Sequence, residues 1–242
     1  MTRNRQMTRL VTRALVSGVV ALTLLAGVAA PPAHGATLQP MVARMMRTMT
    51  AATAYTMVSD STTSGGGAMM GGASTTHLEM IHVHHGPTTQ LSMLSETKGA
   101  KGPVRVSEMV VVGTRGCLRT SHTGAWNCHY PSTMFAAMTT TDPAKALQGT
   151  GLRLVMAATG RSRTIRGQSC AVYSFTESMN VGVALTMHGT WCLNPATMLP
   201  VEVDSVGSET LVKGQPPFLT RSTMIFSRWN DPTLRVPTVR GL

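Results

Sequence analysis

From His77 to Trp229 the chain reads as a run of short alternating segments cut by turn signals, and this most restricts its fold. The segments are HLEMIHVHH, TTQLSMLSE, VRVSEMVVVGTRGCLRT, WNCHY, TIRGQSCAVYSFTES, VALTMHGTWCLN, PVEVDSV and TRSTMIFSRW. Between them stand HGP, TKGAKGP, TGA, NPATMLP and GQPP, whose Gly, Pro and Asn supply the backbone conformations of tight turns. Links this short join antiparallel neighbours, because a parallel crossover needs about a dozen residues or more. The chain is therefore expected to be a mostly antiparallel β protein.

Helical signals come at the start and the middle. Leu38, Met41, Val42, Met45, Met46 and Met49 recur at three- and four-residue steps, the period of a one-sided helix. That stripe predicts a helix from Leu38 to about Met57, with Pro40 in its first turn. Ala51 to Tyr55 either extends the helix or begins a strand. In TTTDPAKALQG, Asp142 can cap a second helix and Pro143 can take its first position. PSTMFAAM before it can be helical, and LRLVMAATG after it can be helix or strand. The tract SDSTTSGGGAMMGGASTT breaks both periods, and residues 61–76 are expected to form a flexible loop. No GK[ST] follows the glycines, which argues against a phosphate-binding loop.

The first 35 residues read as a secretory signal rather than as part of the fold. Arg3, Arg5, Arg9 and Arg13 precede the apolar run ALVSGVVALTLLAGVAA, and Ala33 and Gly35 supply the small residues before a cut. The run is short for a bilayer span, which needs roughly 20 residues, so a retained anchor is the weaker alternative. No cysteine follows LTLLAG, so no lipid anchor is expected there. Cleavage leaves 207 of the 242 residues, enough for one domain spanning 36–242. Loss of four arginines takes the formal charge from +11 to +7, which suits an anionic envelope surface or plain solubility. Scarce aromatics and the lack of a recognised motif argue against nucleic acid.

An exported chain meets an oxidising compartment, and its four cysteines are expected to form disulfides. Cys117 and Cys128 are symmetric about His122-Thr123 in a hairpin-like pattern. Cys170 and Cys192 flank Val181-Gly182. The pairing 117–128 and 170–192 follows from antiparallel opposition. A zinc site ranks lower, because no C-x₂₋₄-C spacing occurs.

Four of the eight histidines fall between His77 and His85. On a strand, Met80, His82 and His84 share one face, and Glu79, Ile81, Val83 and His85 the other. Thioether and imidazole together suit copper. The simpler account turns Ile81 and Val83 inward and lines the outer face with imidazole.

Evidence for catalysis is thin. The ten carboxylates are scattered, and the closest pair, Glu202 and Asp204, reads as a solvated strand face. Ser95 and Lys98 match S-x-x-K, but its S-D-N and K-T-G partners are absent. No G-x-S-x-G or H-E-x-x-H occurs. Arg161, Arg163 and Arg166 form the one basic cluster, read as a solvated turn that could also meet phosphate. No catalysis and no cofactor are expected.

Several longer stretches carry a family likeness. EMVVVGTRGCLRTSHTGAWNCH is a strand pair ending in a turn and Trp126. IRGQSCAVYSF is a Gly followed by alternating apolar residues. GTWCLNPATMLPVEVDSV is a strand with an aromatic, an Asn-Pro turn, Leu-Pro and a strand. TRSTMIFSRWNDPTLRVP is a closing strand with an Asn and a final Pro. With the N-terminal helix and central helical insertion they span Gln39 to Val239. Together they resemble the LolA-like lipoprotein-carrier superfamily, including its LppX-type and RseB-type envelope relatives. The cysteine pairs and the Gly-rich loop depart from that pattern, and no lipobox cysteine is present.

The resemblance implies an α+β fold: a strongly curved, incomplete, mostly antiparallel β-barrel with an N-terminal helix and a central helical insertion. It also implies an exported, periplasmic or extracellular protein that carries a lipid, a lipoprotein or another hydrophobic ligand without catalysis. On that reading Ile81, Val83, Met109, Val111 and Met187 are cavity candidates. Nineteen methionines against ten aromatic residues fit an adaptable apolar surface, although methionine replacing leucine in an ordinary core explains them as well. The alternatives are an envelope sensor that recognises a protein partner, and a periplasmic copper protein using Met80, His82 and His84.

Overall fold

The computed structural model describes residues 40–65, 73–86, 88–132, 135, 153–180, 184–210 and 217–242. The expected signal segment and the helix in TTTDPAKALQG lie outside these residues. So does PSTMFAAM apart from Pro131, Ser132 and Phe135.

Helix α1 (Pro40–Ala51) turns Val42, Met45, Met46 and Met49 inward, the stripe expected from their spacing. It ends earlier than Met57, because Ala54 already begins β1 (Ala54–Gly65). The following strands are β2 (Ser74–His85), β3 (Thr88–Gly99), β4 (Arg105–Val112) and β5 (Arg115–Arg119). After the central segment come β6 (Arg153–Ile165), β7 (Gln168–Asn180), β8 (Ala184–Leu193), β9 (Pro200–Thr210) and β10 (Phe218–Ser227). LRLVMAATG is therefore strand over its described part. WNCHY contributes only the bridge between Leu118 and Asn127.

All ten strands join one open, curved antiparallel sheet in the order β5-β4-β3-β2-β1-β10-β9-β8-β7-β6. Two five-stranded meanders meet where β1 pairs with β10. The strands adjacent in sequence across the central segment, β5 and β6, are thus the two sheet edges. The loop expected at 61–76 is shorter than its composition implies, because β1 continues to Gly65 and β2 starts at Ser74. Hydroxyls stitch this end: Thr63 bonds Thr220 at 3.2 Å and Thr76 bonds Thr97 at 3.1 Å.

Both sheet faces are covered in part. The inner face packs on α1 and carries the main core. The chain after β10 crosses to the outer face, tied by Asn230, whose Oδ1 accepts from the Thr53 amide and whose own amide donates to the Ala54 carbonyl, each at 2.7 Å. There Leu234 and Val236 cover Ala54, Ile81 and Val83, while Val239 and Leu242 cover Val110, Cys117 and Trp126.

Both expected disulfides are present. Cys117 and Cys128, 4.1 Å apart at Cα, flank the Leu118–Asn127 bridge. Cys170 and Cys192, 5.3 Å apart, join β7 to β8 diagonally, because Val172 is the residue opposite Cys192.

Candidate functional site

The inner face begins at its β1–β5 end as a row of thioethers. Met109, Met93, Met80 and Met57 stand opposite one another across β4, β3, β2 and β1, with Leu118 and Phe226 at the two ends. Met41, Met45, Met46 and Met49 of α1 pack on the same core. Unbranched thioethers can repack around a shape that rigid side chains would exclude. Next along the strands comes a row of small hydroxyls. Ser59 and Ser222 are buried and bonded to each other at 3.2 Å, and Ser205 and Thr76 are buried beside them.

Aromatic rings close the end nearest α1. Tyr55 stacks on His82 with centroids 4.8 Å apart and meets Trp229 at 4.6 Å. Burial, and secondarily His84, holds the His82 imidazole down to about 4, and its Nδ1 has no hydrogen-bond partner. His84 stands edge-on to it at 5.3 Å and bonds the Thr89 hydroxyl.

On β6–β9 the inner face carries Leu154, Met156, Phe175, Leu185, Met187 and Trp191, all buried. Gly189 lies between Met187 and Trp191, and an added Cβ there would run into the Asp204 carbonyl oxygen of β9. Glycine is therefore what lets β8 and β9 approach at this point. Within this surface sits Glu177, 0% exposed, opposite Leu154 on one side and Met187 on the other. Neither carboxylate oxygen has a partner, nor does the Trp191 indole nitrogen. Burial pushes the Glu177 carboxyl up to about 7. Glu209, on the same face of β9, is also pushed up by burial.

The predicted cavity residues separate. Met109, Val111 and Met187 lie on the inner face, each buried in the main core. Ile81 and Val83 lie on the outer face, under Leu234 and Val236. The alternation has the expected period, but Ile81 and Val83 face outward, because the chain after β10 buries the outer face as well. The imidazoles of His82 and His84 are accordingly on the face that holds Met80. Among the described residues, no group of three or more His, Cys, Asp or Glu is arranged to hold a metal ion.

The outer face carries several ion pairs. His77 bonds Asp60 at 2.7 Å and Glu79 at 3.2 Å, and these bonds raise its pKa in that order of importance. His122 likewise bridges Glu108 at 2.9 Å and Glu96 at 3.0 Å and is raised by them. Burial pushes the Glu108 carboxyl up, but bonds from Arg119 and His122 outweigh it and leave it below the usual range. Arg119 also lies 4.6 Å over the Trp126 ring. Arg163, from the expected basic turn, instead reaches Glu202 at 2.8 Å and Asp204 at 3.3 Å. Glu202, expected on a solvated face, is buried. Its carboxyl is raised by that burial and by Asp204, against the pull of Arg163.

Glu177 escaped the sequence reading although a signal for it exists. In AVYSFTESM it keeps step with Tyr173 and Phe175, so a charge occupies an apolar-phase position.

No protein-family model matches the chain, and no curated protein matches it. Among solved structures it is similar to a DUF1329 family protein from Desulfovibrio piger, at 9% identity and a TM-score of 0.32, covering 81% of this chain and 92% of that one. It is also similar to the MucA/MucB complex of Pseudomonas aeruginosa, at 14% identity and a TM-score of 0.35, covering 78% of this chain and 56% of that one. A third is an S-type phycobiliprotein lyase from Guillardia theta, at 8% identity and a TM-score of 0.29, covering 79% and 99%. Scores of this size carry no assignment, and the architecture rests on the strand order given above.

Proposed function

We propose that this chain is an exported, non-catalytic cell-envelope protein that holds an amphipathic, mainly apolar ligand on the inner face of its sheet. A lipid or a lipidated protein has the required chemistry. The observation that carries this reading is the set of buried polar atoms without partners on one face: both oxygens of Glu177, Trp191 Nε1 and His82 Nδ1. Buried polar groups in folded proteins are nearly always satisfied, and each one that is not costs about 1–3 kcal/mol. Polar groups of a bound molecule would satisfy them, and the surrounding thioethers would adapt to its chains. The two disulfides fit an oxidising compartment.

Mass spectrometry of organic extracts from the natively purified mature protein tests the proposal. A stoichiometric amphiphile is the expected result. A clean extract, with no binding of added lipid or lipopeptide, would overturn it.

A further inference from the structure

Glu177 has a feature that adaptable apolar packing leaves unexplained. Its carboxylate is wholly buried, it accepts no hydrogen bond, and its inner-face neighbours Leu154, Phe175 and Met187 offer no donor. Among the described residues, inner-face positions of β6–β10 hold no Lys, Arg or His. The only other carboxylate at those positions is Glu209. In a chain of net charge +11, this part of the inner face therefore carries acid alone.

A carboxylate can only accept hydrogen bonds, and what satisfies it best is a cationic donor. Apolar side chains flank it on both neighbouring strands. Glu177 also lies one strand in from β6, whose other edge pairs with no strand among the described residues. A flexible molecule entering past that edge would meet the carboxylate while its chain lay along Met156, Phe175 and Met187.

We propose that Glu177 anchors the headgroup of the ligand, its carboxylate accepting hydrogen bonds from an ammonium group carried on an aliphatic chain. The proposal rests on the reading of the inner face as a ligand site and names the chemistry that the site selects. The ion pair forms inside an apolar surface, where each partner lowers the other's cost of leaving water. A free fatty acid, carrying a negative head, would be repelled, and a neutral alcohol would gain only an ordinary hydrogen bond.

The test uses the full mature chain, freed of co-purified material, and three probes of one chain length: dodecylammonium, dodecanol and dodecanoate, all below micelle-forming concentrations. Binding is measured at pH 8 by calorimetry for the wild type, Glu177→Gln and Glu177→Leu, with folding checked by circular dichroism. A charge-assisted hydrogen bond is roughly twice as strong as a neutral one, so dodecylammonium should bind the wild type about tenfold tighter than dodecanol. Both variants should lose that preference, to within about twofold. Dodecylammonium preference that survives in both variants, or dodecanoate binding as tightly as dodecylammonium, overturns the anchor but leaves an apolar site standing. Failure of the wild type to bind any of the three, together with a lipid-free extract, overturns the ligand reading itself.

Discussion

The two faces of the sheet treat ionisable side chains in opposite ways. On the outer face His77, His122, Glu108, Glu202 and Asp204 each stand within bonding distance of an opposite charge or a bonding partner. On the inner face both oxygens of Glu177 and Nδ1 of His82 are buried and find no partner. The shifts follow from this contrast. Partners draw the outer histidines toward their charged forms, whereas burial drives both inner groups toward neutrality. On the outer face these groups are paired within the protein. The other leaves buried polar atoms without a partner.

The largest effect should come from removing inner-face volume. Trp191 is 2% exposed and meets Phe175 edge-on at 6.1 Å. Trp191→Ala should destabilise the fold by about 3–5 kcal/mol in denaturant titration, the usual loss for a buried large aromatic. A loss below about 1 kcal/mol would mean that the inner face is plastic enough to collapse around the gap. It would then resemble a loose sleeve more than a packed core.

Next comes the charge of Glu177. Its folded pKa, about 7, lies above the ordinary 4.5, so the folded chain holds a proton that the unfolded chain releases between those values. Wild-type stability should be full below pH 4.5 and fall as pH rises through 7, by of order 3 kcal/mol from this group. Glu177→Gln keeps a buried polar group but cannot ionise. The difference in unfolding free energy between variant and wild type should therefore be flat below pH 4.5 and grow in the variant's favour up to about pH 7. A difference that does not change with pH would show that the carboxylate is solvated after all, and the contrast between faces would fail at its sharpest point.

Much of this fold was legible from residue order because its main signals are local. Period-two alternation and turn residues located the strands, and the methionine stripe located α1. Hairpin symmetry paired Cys117 with Cys128. It also paired Cys170 with Cys192, although they bridge one diagonal step out of register. What residue order could not convey is which face of a strand is inner. Ile81 and Val83 are apolar, but so are Met80 and its neighbours, and only the tail carrying Leu234 and Val236 turns both faces into buried surface. The end of α1 was equally opaque, because Ala51 to Tyr55 suits either structure until β1 finds β2 and β10. Glu202 looked solvated because its partner, Arg163, is 39 positions away in sequence and adjacent only in the sheet. Glu177 was visible in principle as an acid in an apolar phase.

The smallest energetic effect gives the most direct reading of the two faces, because His82, His77 and His122 can be titrated in one series of NMR spectra. His82 should titrate near 4, held down first by burial. His77 and His122 should titrate above 6.5, because each offers both ring nitrogens to carboxylates and can donate to both only as the cation. For these two, any stabilisation is fully present below pH 6.5 and is lost as pH rises through the folded value. Both are on a solvated face, so the change in melting temperature should be slight and should shrink further in salt. Glu108→Gln should bring His122 back toward 6.5 and leave His82 where it is, since the sheet separates them. If His82 instead moved with salt or with Glu108→Gln, its ring would be sensing the outer charges through water. The inner face would then be wet, and its unpartnered atoms would need no ligand.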